Sequence, residues 1–210
     1  MKSLIDSYDY RMKLSFTYKQ TQPLMLMFLV AFSLRLLASF LLQSWISPNT
    51  YEYGGIAQNV LAGKGYSLPF IEPGIEIKEP FFSWVPPLYP ILVTLFHWFF
   101  KDPYFWLLIF QCFISALTCL CIYNIAYRVF GYRTGMLAGF ITAIYPLFVL
   151  IPTKVIPSTL DIFLLSAIII CLFNVKESGR LPYPAITGML LGLFSLSQPQ
   201  IFGFFPLIIF

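Results

Sequence analysis

The chain has 210 residues, of which 59% are hydrophobic and 10% charged, and its net charge is +4. Soluble domains average about 45–50% apolar and about 25% charged residues, so this chain has too few polar side chains to cover a water-soluble globule. The positive charge is also too small and too scattered for binding to nucleic acid. The composition therefore predicts an integral membrane protein that resides in a lipid bilayer.

The first predicted element is a transmembrane helix near the N-terminus. Residues 1–23 are polar and basic, and the hydrophobic run Leu24–Ile46 follows them. At 1.5 Å per residue this run is long enough to cross the about 30 Å of a bilayer core. It is too long for a signal-peptide core and lacks a small-residue cleavage site, so it is interpreted as an uncleaved span. The lysines and arginine before it favour a cytoplasmic segment 1–23.

A polar, net acidic stretch comes next and predicts an extracytoplasmic loop at 47–81. Its first part is expected to form a short amphipathic helix on the membrane surface, which Gly63 and Gly65 end. The apolar residues that recur at helical spacing and define this helix are Tyr53, Ile56, Ala57, Val60 and Leu61.

Later hydrophobic runs predict five more spans: Phe82–Phe100, Tyr104–Tyr127, Gly135–Thr153, Ile156–Val175 and Ala185–Phe210. The expected fold is an all-α polytopic membrane protein with about six transmembrane helices. Pro152 and Pro157 predict a tight hairpin or a broken helix between two of the spans. Small residues at helical spacing predict close helix contacts at Gly131, Gly135, Gly139, Gly188 and Gly192. Because the sequence stops within an apolar run, the module at 24–210 is expected to be truncated.

If the chain crosses the membrane six times, the distribution of positive charge does not decide its orientation. Alternate loops then carry six lysines and arginines on each side of the membrane. The basic N-terminal segment and the acidic first loop favour a cytoplasmic N-terminus. The predicted location is the inner or plasma membrane, with the endoplasmic-reticulum membrane as an alternative.

Glu52 is the candidate catalytic residue of the first loop. A carboxylate held at the boundary of water and lipid can act as a general base, taking the proton of an acceptor hydroxyl that attacks the anomeric carbon of a sugar. The structural alternative is a capping box, in which Asn49 caps the predicted helix and Glu52, three residues later, completes the arrangement.

Several strings resemble the start of GT-C-fold glycosyltransferases. They are Arg35-Leu36-Leu37, Ala57-Gln58-Asn59-Val60-Leu61-Ala62-Gly63-Lys64-Gly65-Tyr66 and Pro86-Pro87-Leu88-Tyr89-Pro90. The pattern is most similar to family 39, which includes protein O-mannosyltransferases and the lipid A aminoarabinose transferase. The resemblance implies an acidic first-loop residue as catalytic base, matched here by Glu52. It also implies a polyprenyl-phosphate sugar donor, a glycan, lipid or protein acceptor, inversion at the anomeric carbon, and no cofactor.

The chain departs from the pattern of that family at three positions. The first loop offers a glutamate where aspartate is commoner. Ser158 stands where an acidic residue often precedes Thr-Leu, and Gln198 stands where an arginine often precedes proline.

Four further residues are candidates for substrate binding, and three of them have a structural alternative. Arg35 lies mid-span and either contacts a donor phosphate or pairs with Asp161. Lys64 either attracts a phosphate or is a solvated lysine of the interface. Asn59 shares the polar face of Glu52. Tyr89 either shapes a groove for lipid or anchors a span at the interface.

No metal site is expected, because the single histidine, His97, has no Asp, Glu or Cys near it in sequence. A non-enzymatic membrane protein, such as a carrier subunit or an assembly factor, is the alternative function. An inactive remnant of a glycosyltransferase is a third. A carrier would depend on charges inside the bundle, which makes Arg35 and Asp161 the residues that distinguish it from an enzyme using Glu52.

Overall fold

The computed structural model describes residues 18–68, 71–72, 75–76, 81–178 and 182–200. Most of the predicted segment 1–23, part of the first loop and the last ten residues of the predicted span Ala185–Phe210 lie outside this part. The helices within it are α1 (Tyr18–Leu41), α2 (Tyr51–Leu61), α3 (Leu88–Phe99), α4 (Pro103–Phe130), α5 (Tyr132–Ile144), α6 (Pro146–Leu150), α7 (Ser158–Ser178) and α8 (Pro182–Ser195).

The first loop contains the predicted surface helix and two short strand pairs that the sequence did not predict. Helix α2 ends at Leu61, before Gly63 and Gly65, which both have a φ of +72°. Glycine adopts this left-handed conformation without steric cost. Two antiparallel pairs of two residues each follow, β1 (Ser67–Leu68) with β4 (Phe81–Phe82) and β2 (Ile71–Glu72) with β3 (Ile75–Glu76).

Three helices of the described part are long and apolar enough to cross a membrane: Thr21–Leu41, Pro103–Phe130 and Ser158–Glu177. Helices α5 and α6, with the 3-10 turn Ile151–Thr153, form a fourth candidate that is bent by 53°. Six spans are therefore not confirmed. The predicted span Phe82–Phe100 is reduced to α3, whose 12 residues extend only about 18 Å at 1.5 Å per residue.

The bend of this fourth candidate follows from proline. Tyr145 has extended backbone angles and Pro146 begins α6, because proline cannot donate a hydrogen bond within the preceding helix. The predicted turn at Pro152 and Pro157 is present, since the chain leaves the 3-10 turn at Lys154 and α7 begins at Ser158. The earlier break at Pro146 was not predicted from the sequence.

Long-range contacts show how the helices alternate in direction. Helices α1 and α4 are antiparallel, since Arg35 bonds Ser115 and Met27 packs with Tyr123. Arg128 near the end of α4 forms an ion pair with Glu177 at the end of α7, with 3.0 Å between the charged atoms. Helix α8 returns along α7, and two residues that follow it, Ser197 and Gln198, reach Asp161 at the start of α7.

One end of the bundle, here called the loop-helix end, therefore contains α2, the starts of α4 and α7 and the residues after α8. Helix α3 has both of its ends there. The backbone N–H of Leu88 donates to the carbonyl oxygen of Leu196 at 3.1 Å, and the ring of His97 lies 4.9 Å from that of Tyr104. Helix α3 thus enters and leaves at the same end and does not reverse the direction of the chain across the membrane.

The predicted glycine contacts are confirmed at Gly135 and Gly139 but wrong at Gly131, Gly188 and Gly192, since a Cβ added at Gly131 would also meet nothing within 4 Å in the described part of the chain. A Cβ atom added at Gly135 would lie 3.0 Å from the carbonyl oxygen of Tyr123, so α5 packs closely on α4 there. Gly139 makes a similar approach to Met27. A Cβ added at Gly188 or Gly192 would meet nothing within 4 Å, so these two glycines mark no close contact in the described part of the chain.

Candidate active site at the loop-helix end

Helix α2 is fixed onto the end of the bundle by aromatic and glycine contacts. The rings of Tyr53 and Tyr89 pack edge to face with centroids 5.1 Å apart. A Cβ added to Gly54 would lie 2.9 Å from the hydroxyl oxygen of Tyr104 on α4. The backbone N–H of Val155 also donates to the carbonyl oxygen of Asn49, just before the helix, at 3.3 Å. The helix therefore has a defined position relative to the spans.

Glu52 lies in the first turn of α2 with an exposed side chain. The capping-box alternative is wrong, because the N-cap residue is Thr50, not Asn49, and it makes no side-chain capping bond. Within the described residues the carboxylate of Glu52 has neither a hydrogen bond nor an ion pair. Tyr51 before it has a φ of +46°, a conformation that costs a non-glycine residue about 1–3 kcal/mol. The structure thus leaves the carboxylate of Glu52 open to a ligand.

The pKa of Tyr53 responds to the exposed carboxylate of Glu52 and to a second, buried carboxylate, that of Asp161. Burial raises the pKa of Tyr53, and the charges of Glu52 and Asp161 raise it further. The phenol therefore stays protonated at neutral pH and can donate a hydrogen bond. Tyr53 follows Glu52 in α2 and packs against the same apolar cluster as Leu160, the neighbour of Asp161, so both carboxylates lie at the loop-helix end.

Asp161 is buried, and its partners differ from those expected. One carboxylate oxygen accepts a short hydrogen bond from the hydroxyl of Ser197, and the other accepts one from the side-chain amide of Gln198 at 2.8 Å. The ion pair predicted between Asp161 and Arg35 is wrong. This cluster was not predicted from the sequence. The glutamine at position 198, where an arginine is common, was a signal for it, because a side-chain amide can donate a hydrogen bond to a carboxylate without carrying a charge.

Arg35 is fully buried in the second half of α1, and all of its donors are used. Its Nε donates to the hydroxyl oxygen of Ser115 at 2.7 Å. Nη1 donates to the carbonyl oxygens of Ala31 and Ala143, at 2.8 and 3.1 Å. Nη2 lies 3.4 Å from both the sulfur of Cys119 and the carbonyl oxygen of Thr142. These five contacts match the five N–H donors of a guanidinium group.

The reason for this arrangement is the break in the fourth span. In an unbroken helix the carbonyl of Thr142 would accept from the N–H of residue 146, which is proline and has none. Arg35 supplies the missing donor and fastens the end of α5 to α1 and α4. A contact between Arg35 and a phosphate stays a prediction, and it would require some of these bonds to be given up.

The remaining predicted binding residues divide between the surface and the interior. Lys64 is exposed at the end of α2. The side-chain amide of Asn59 donates to the carbonyl oxygen of Ser67 at 2.9 Å and so holds the chain that follows the helix. Tyr89 is 1% exposed, and its hydroxyl donates to Gln111 at 2.9 Å. Binding of a substrate by these residues stays a prediction, with Lys64 the most open of the three.

No group of three or more His, Cys, Asp and Glu side chains in the described part is placed to hold a metal ion. The ring of His97 is occupied by local contacts, since Nδ1 lies 2.9 Å from the carbonyl oxygen of Val93.

Gly54→Ala should displace α2 from the bundle. The new Cβ would lie 2.6 Å from the side chain of Thr50 as well as close to Tyr104, and overpacking of this kind costs about 1–3 kcal/mol. Chemical unfolding of the detergent-solubilised chain measures the loss. Gly192→Ala is the matched control, because its Cβ meets nothing within 4 Å and the helix should gain about 0.5–1 kcal/mol. Equal stability of both variants would contradict the close packing of α2.

The arrangement of apolar helices with an open carboxylate at one end defines a polytopic membrane protein with a candidate enzyme site at the membrane boundary. Comparison with known families supports this class. The sequence model of the dolichyl-phosphate-mannose-protein mannosyltransferase family matches residues 84–210, which is more than half of the chain. The chain belongs to this family and is a membrane glycosyltransferase of the mannosyltransferase kind.

The family match begins after the first loop, so α1, α2 and Glu52 lie outside it. No curated protein and no solved structure matches the chain. The roles of the first-loop residues therefore depend on the geometry described above and on the resemblance of the first-loop strings.

Proposed function

We propose that the chain transfers a sugar from a polyprenyl-phosphate donor to an acceptor hydroxyl at the extracytoplasmic face, with Glu52 as the general base. The environment of Glu52 carries this proposal, because the carboxylate is exposed, unpaired and held on a helix with a fixed position. The family description names dolichyl phosphate mannose as donor and protein as acceptor. Mannose and a serine or threonine hydroxyl are accordingly the first pair to test, with glycan and lipid hydroxyls next.

The proposed reaction is a direct displacement at the anomeric carbon. Glu52 takes the proton of the acceptor hydroxyl as its oxygen forms a bond to the anomeric carbon. The bond from that carbon to the phosphate oxygen breaks at the same time, and polyprenyl phosphate leaves with the electron pair. Attack opposite to the leaving group inverts the configuration. A base for this step must be within hydrogen-bond reach of the hydroxyl, which an exposed side chain at the loop-helix end permits.

The proposed face is supported by the distribution of positive charge once α3 is counted as non-crossing. Segment 1–23 and the connections at the end opposite to α2 then carry eight cations by sequence: Lys2, Arg11, Lys13, Lys19, Arg128, Arg133, Lys176 and Arg180. The loop-helix end carries four: Lys64, Lys78, Lys101 and Lys154. Lysine and arginine accumulate on the cytoplasmic side of membrane proteins, so this imbalance supports an extracytoplasmic position for Glu52.

Lys64 is the residue proposed to attract the donor phosphate. Its ammonium group is exposed on the same face of the membrane as Glu52, where a basic side chain near the surface contributes about 1 kcal/mol to the binding of an anionic lipid group. Tyr53, protonated and next to Glu52, is available as a hydrogen-bond donor at the reacting groups.

Sealed membrane vesicles of both orientations test the donor and the face together. Vesicles with the extracytoplasmic side outward should transfer labelled mannose from polyprenyl phosphate mannose to a membrane-impermeant peptide that contains serine and threonine. Inverted vesicles should transfer only after they are permeabilised, and a nucleotide sugar added in place of the lipid donor should give no transfer. Transfer by intact inverted vesicles would contradict the proposed face, and transfer from the nucleotide sugar would contradict the proposed donor.

A further inference from the structure

An open cleft of about 430 Å³ lies at the loop-helix end, between the chain that follows α1 and the start of α4. Its lining consists of Trp45, Asp102, Pro103, Tyr104 and Phe105. The rings of Trp45 and Phe105 meet at 84° with centroids 6.1 Å apart, so they form two walls of a corner. Tyr104 adds a third ring, and none of these residues is proposed above to act on the sugar.

Asp102 gives this aromatic cleft a negative charge. It is exposed and stands at the N-cap position of α4, but its side chain makes no capping hydrogen bond. The carboxylate also has no ion pair within the described part of the chain. An aromatic corner attracts cations through the negative faces of its rings, and an unpaired carboxylate adds a Coulombic attraction of the same sign. The complementary ligand is therefore an organic cation.

We infer that this cleft binds the ammonium headgroup of a zwitterionic phospholipid such as phosphatidylethanolamine. Trp45 follows the end of α1 by four residues, so the cleft opens at the membrane boundary where lipid headgroups lie. Lys101 precedes Asp102 in the chain and is exposed outside the lining of the cleft, so a positive charge follows the negative one outward. The carboxylate of Asp102 would face the ammonium group of the lipid, and the ammonium group of Lys101 would face the phosphate joined to it. This arrangement favours a phospholipid over a soluble amine.

Native mass spectrometry of the full chain in detergent micelles tests the inference. The chain is titrated with phosphatidylethanolamine or with phosphatidylglycerol of the same acyl chains. We expect phosphatidylethanolamine to be held more tightly, and Asp102→Asn to weaken its binding about tenfold while leaving phosphatidylglycerol unchanged. Asparagine is equally suited to an N-cap position, so the variant should fold normally. Trp45→Leu should also weaken the binding of phosphatidylethanolamine.

Glu52→Gln is the matched control, since it removes one negative charge from the same end of the bundle but from outside the cleft. It should leave the binding of phosphatidylethanolamine unchanged. Equal binding of the two lipids, or of phosphatidylethanolamine by the wild type and Asp102→Asn, would overturn the inference. If Trp45→Leu does not fold, Asp102→Asn decides the outcome alone. Free ethanolamine that binds as tightly as the lipid would overturn the assignment to a phospholipid.

Discussion

Glu52→Gln should lower the rate of sugar transfer by about 10²–10⁴-fold, which is the contribution typical of a general base. Glutamine has nearly the same size as glutamate but cannot accept the proton of the acceptor hydroxyl. Because the side chain is exposed and has no partner in the described part of the chain, the substitution should not change the free energy of unfolding. The measurement is initial-rate transfer of labelled sugar from polyprenyl phosphate mannose, with the variant and wild type at equal protein concentration.

Two further variants show whether the loss belongs to the base itself. Glu52→Asp keeps the carboxylate and matches the residue that is commoner in the resembling family, so it should retain part of the activity. Asp102→Asn removes a different exposed carboxylate from the same end and should leave the chemical step unchanged. Full activity of Glu52→Gln would contradict the assignment of Glu52, and equal losses in Glu52→Gln and Asp102→Asn would point to a general effect of charge.

Arg35→Met should lower the free energy of unfolding by about 2–4 kcal/mol. The substitution removes the donors that reach the carbonyl oxygens of Thr142 and Ala143, and each buried polar group left unpaired costs about 1–3 kcal/mol. Methionine fills part of the same volume, so the loss reports the hydrogen bonds more than a cavity. Chemical unfolding in detergent measures the change, and cleavage by protease between Tyr145 and Pro157 should increase with it.

Arg35→Lys separates this structural role from binding of the donor phosphate. Lysine keeps the positive charge but has a single nitrogen and cannot reproduce the fork of a guanidinium group. We expect it to lose stability, though less than Arg35→Met. If Arg35 instead acts on the donor, the lysine variant would unfold like the wild type and show a raised KM for the lipid donor. The carrier alternative likewise needs Arg35 to be free for a ligand, and its occupied donors do not favour it.

The membrane class, the first span and the helix of the first loop could be predicted from the sequence because each depends on local pattern. The proportion of apolar residues indicates that the protein is surrounded by lipid. The helical spacing of apolar residues, followed by two glycines, predicted α2. That α3 is too short to cross the bilayer could not be predicted in this way. A hydrophobic run has the same hydropathy whether it crosses the bilayer or returns to the same side, and only the contacts of Leu88 and His97 distinguish the two.

The same limit explains the errors at the candidate site. Glu52 could be proposed as a candidate from the sequence because its position relative to α1 and the glycines is a local property. The partners of Asp161 were not, because Ser197 and Gln198 are 36 and 37 residues away and reach it only through the return of α8. Charge complementarity suggested Arg35 for Asp161, whereas the structure pairs the arginine with uncharged groups, among them the carbonyl oxygen of Thr142, which Pro146 leaves without a helical donor.

The position of Arg35 also has a consequence for the order of events during synthesis. Its acceptor on Ala143 is 108 residues further along the chain, so at translation rates of about 5–20 residues per second it is made roughly 5–20 s after the arginine. During that interval the first helix carries a charged side chain that has its acceptor on Ala31 but lacks those on α4 and α5. The helix is therefore expected to stay at the insertion machinery, or in contact with an assisting protein, until α4 and α5 arrive.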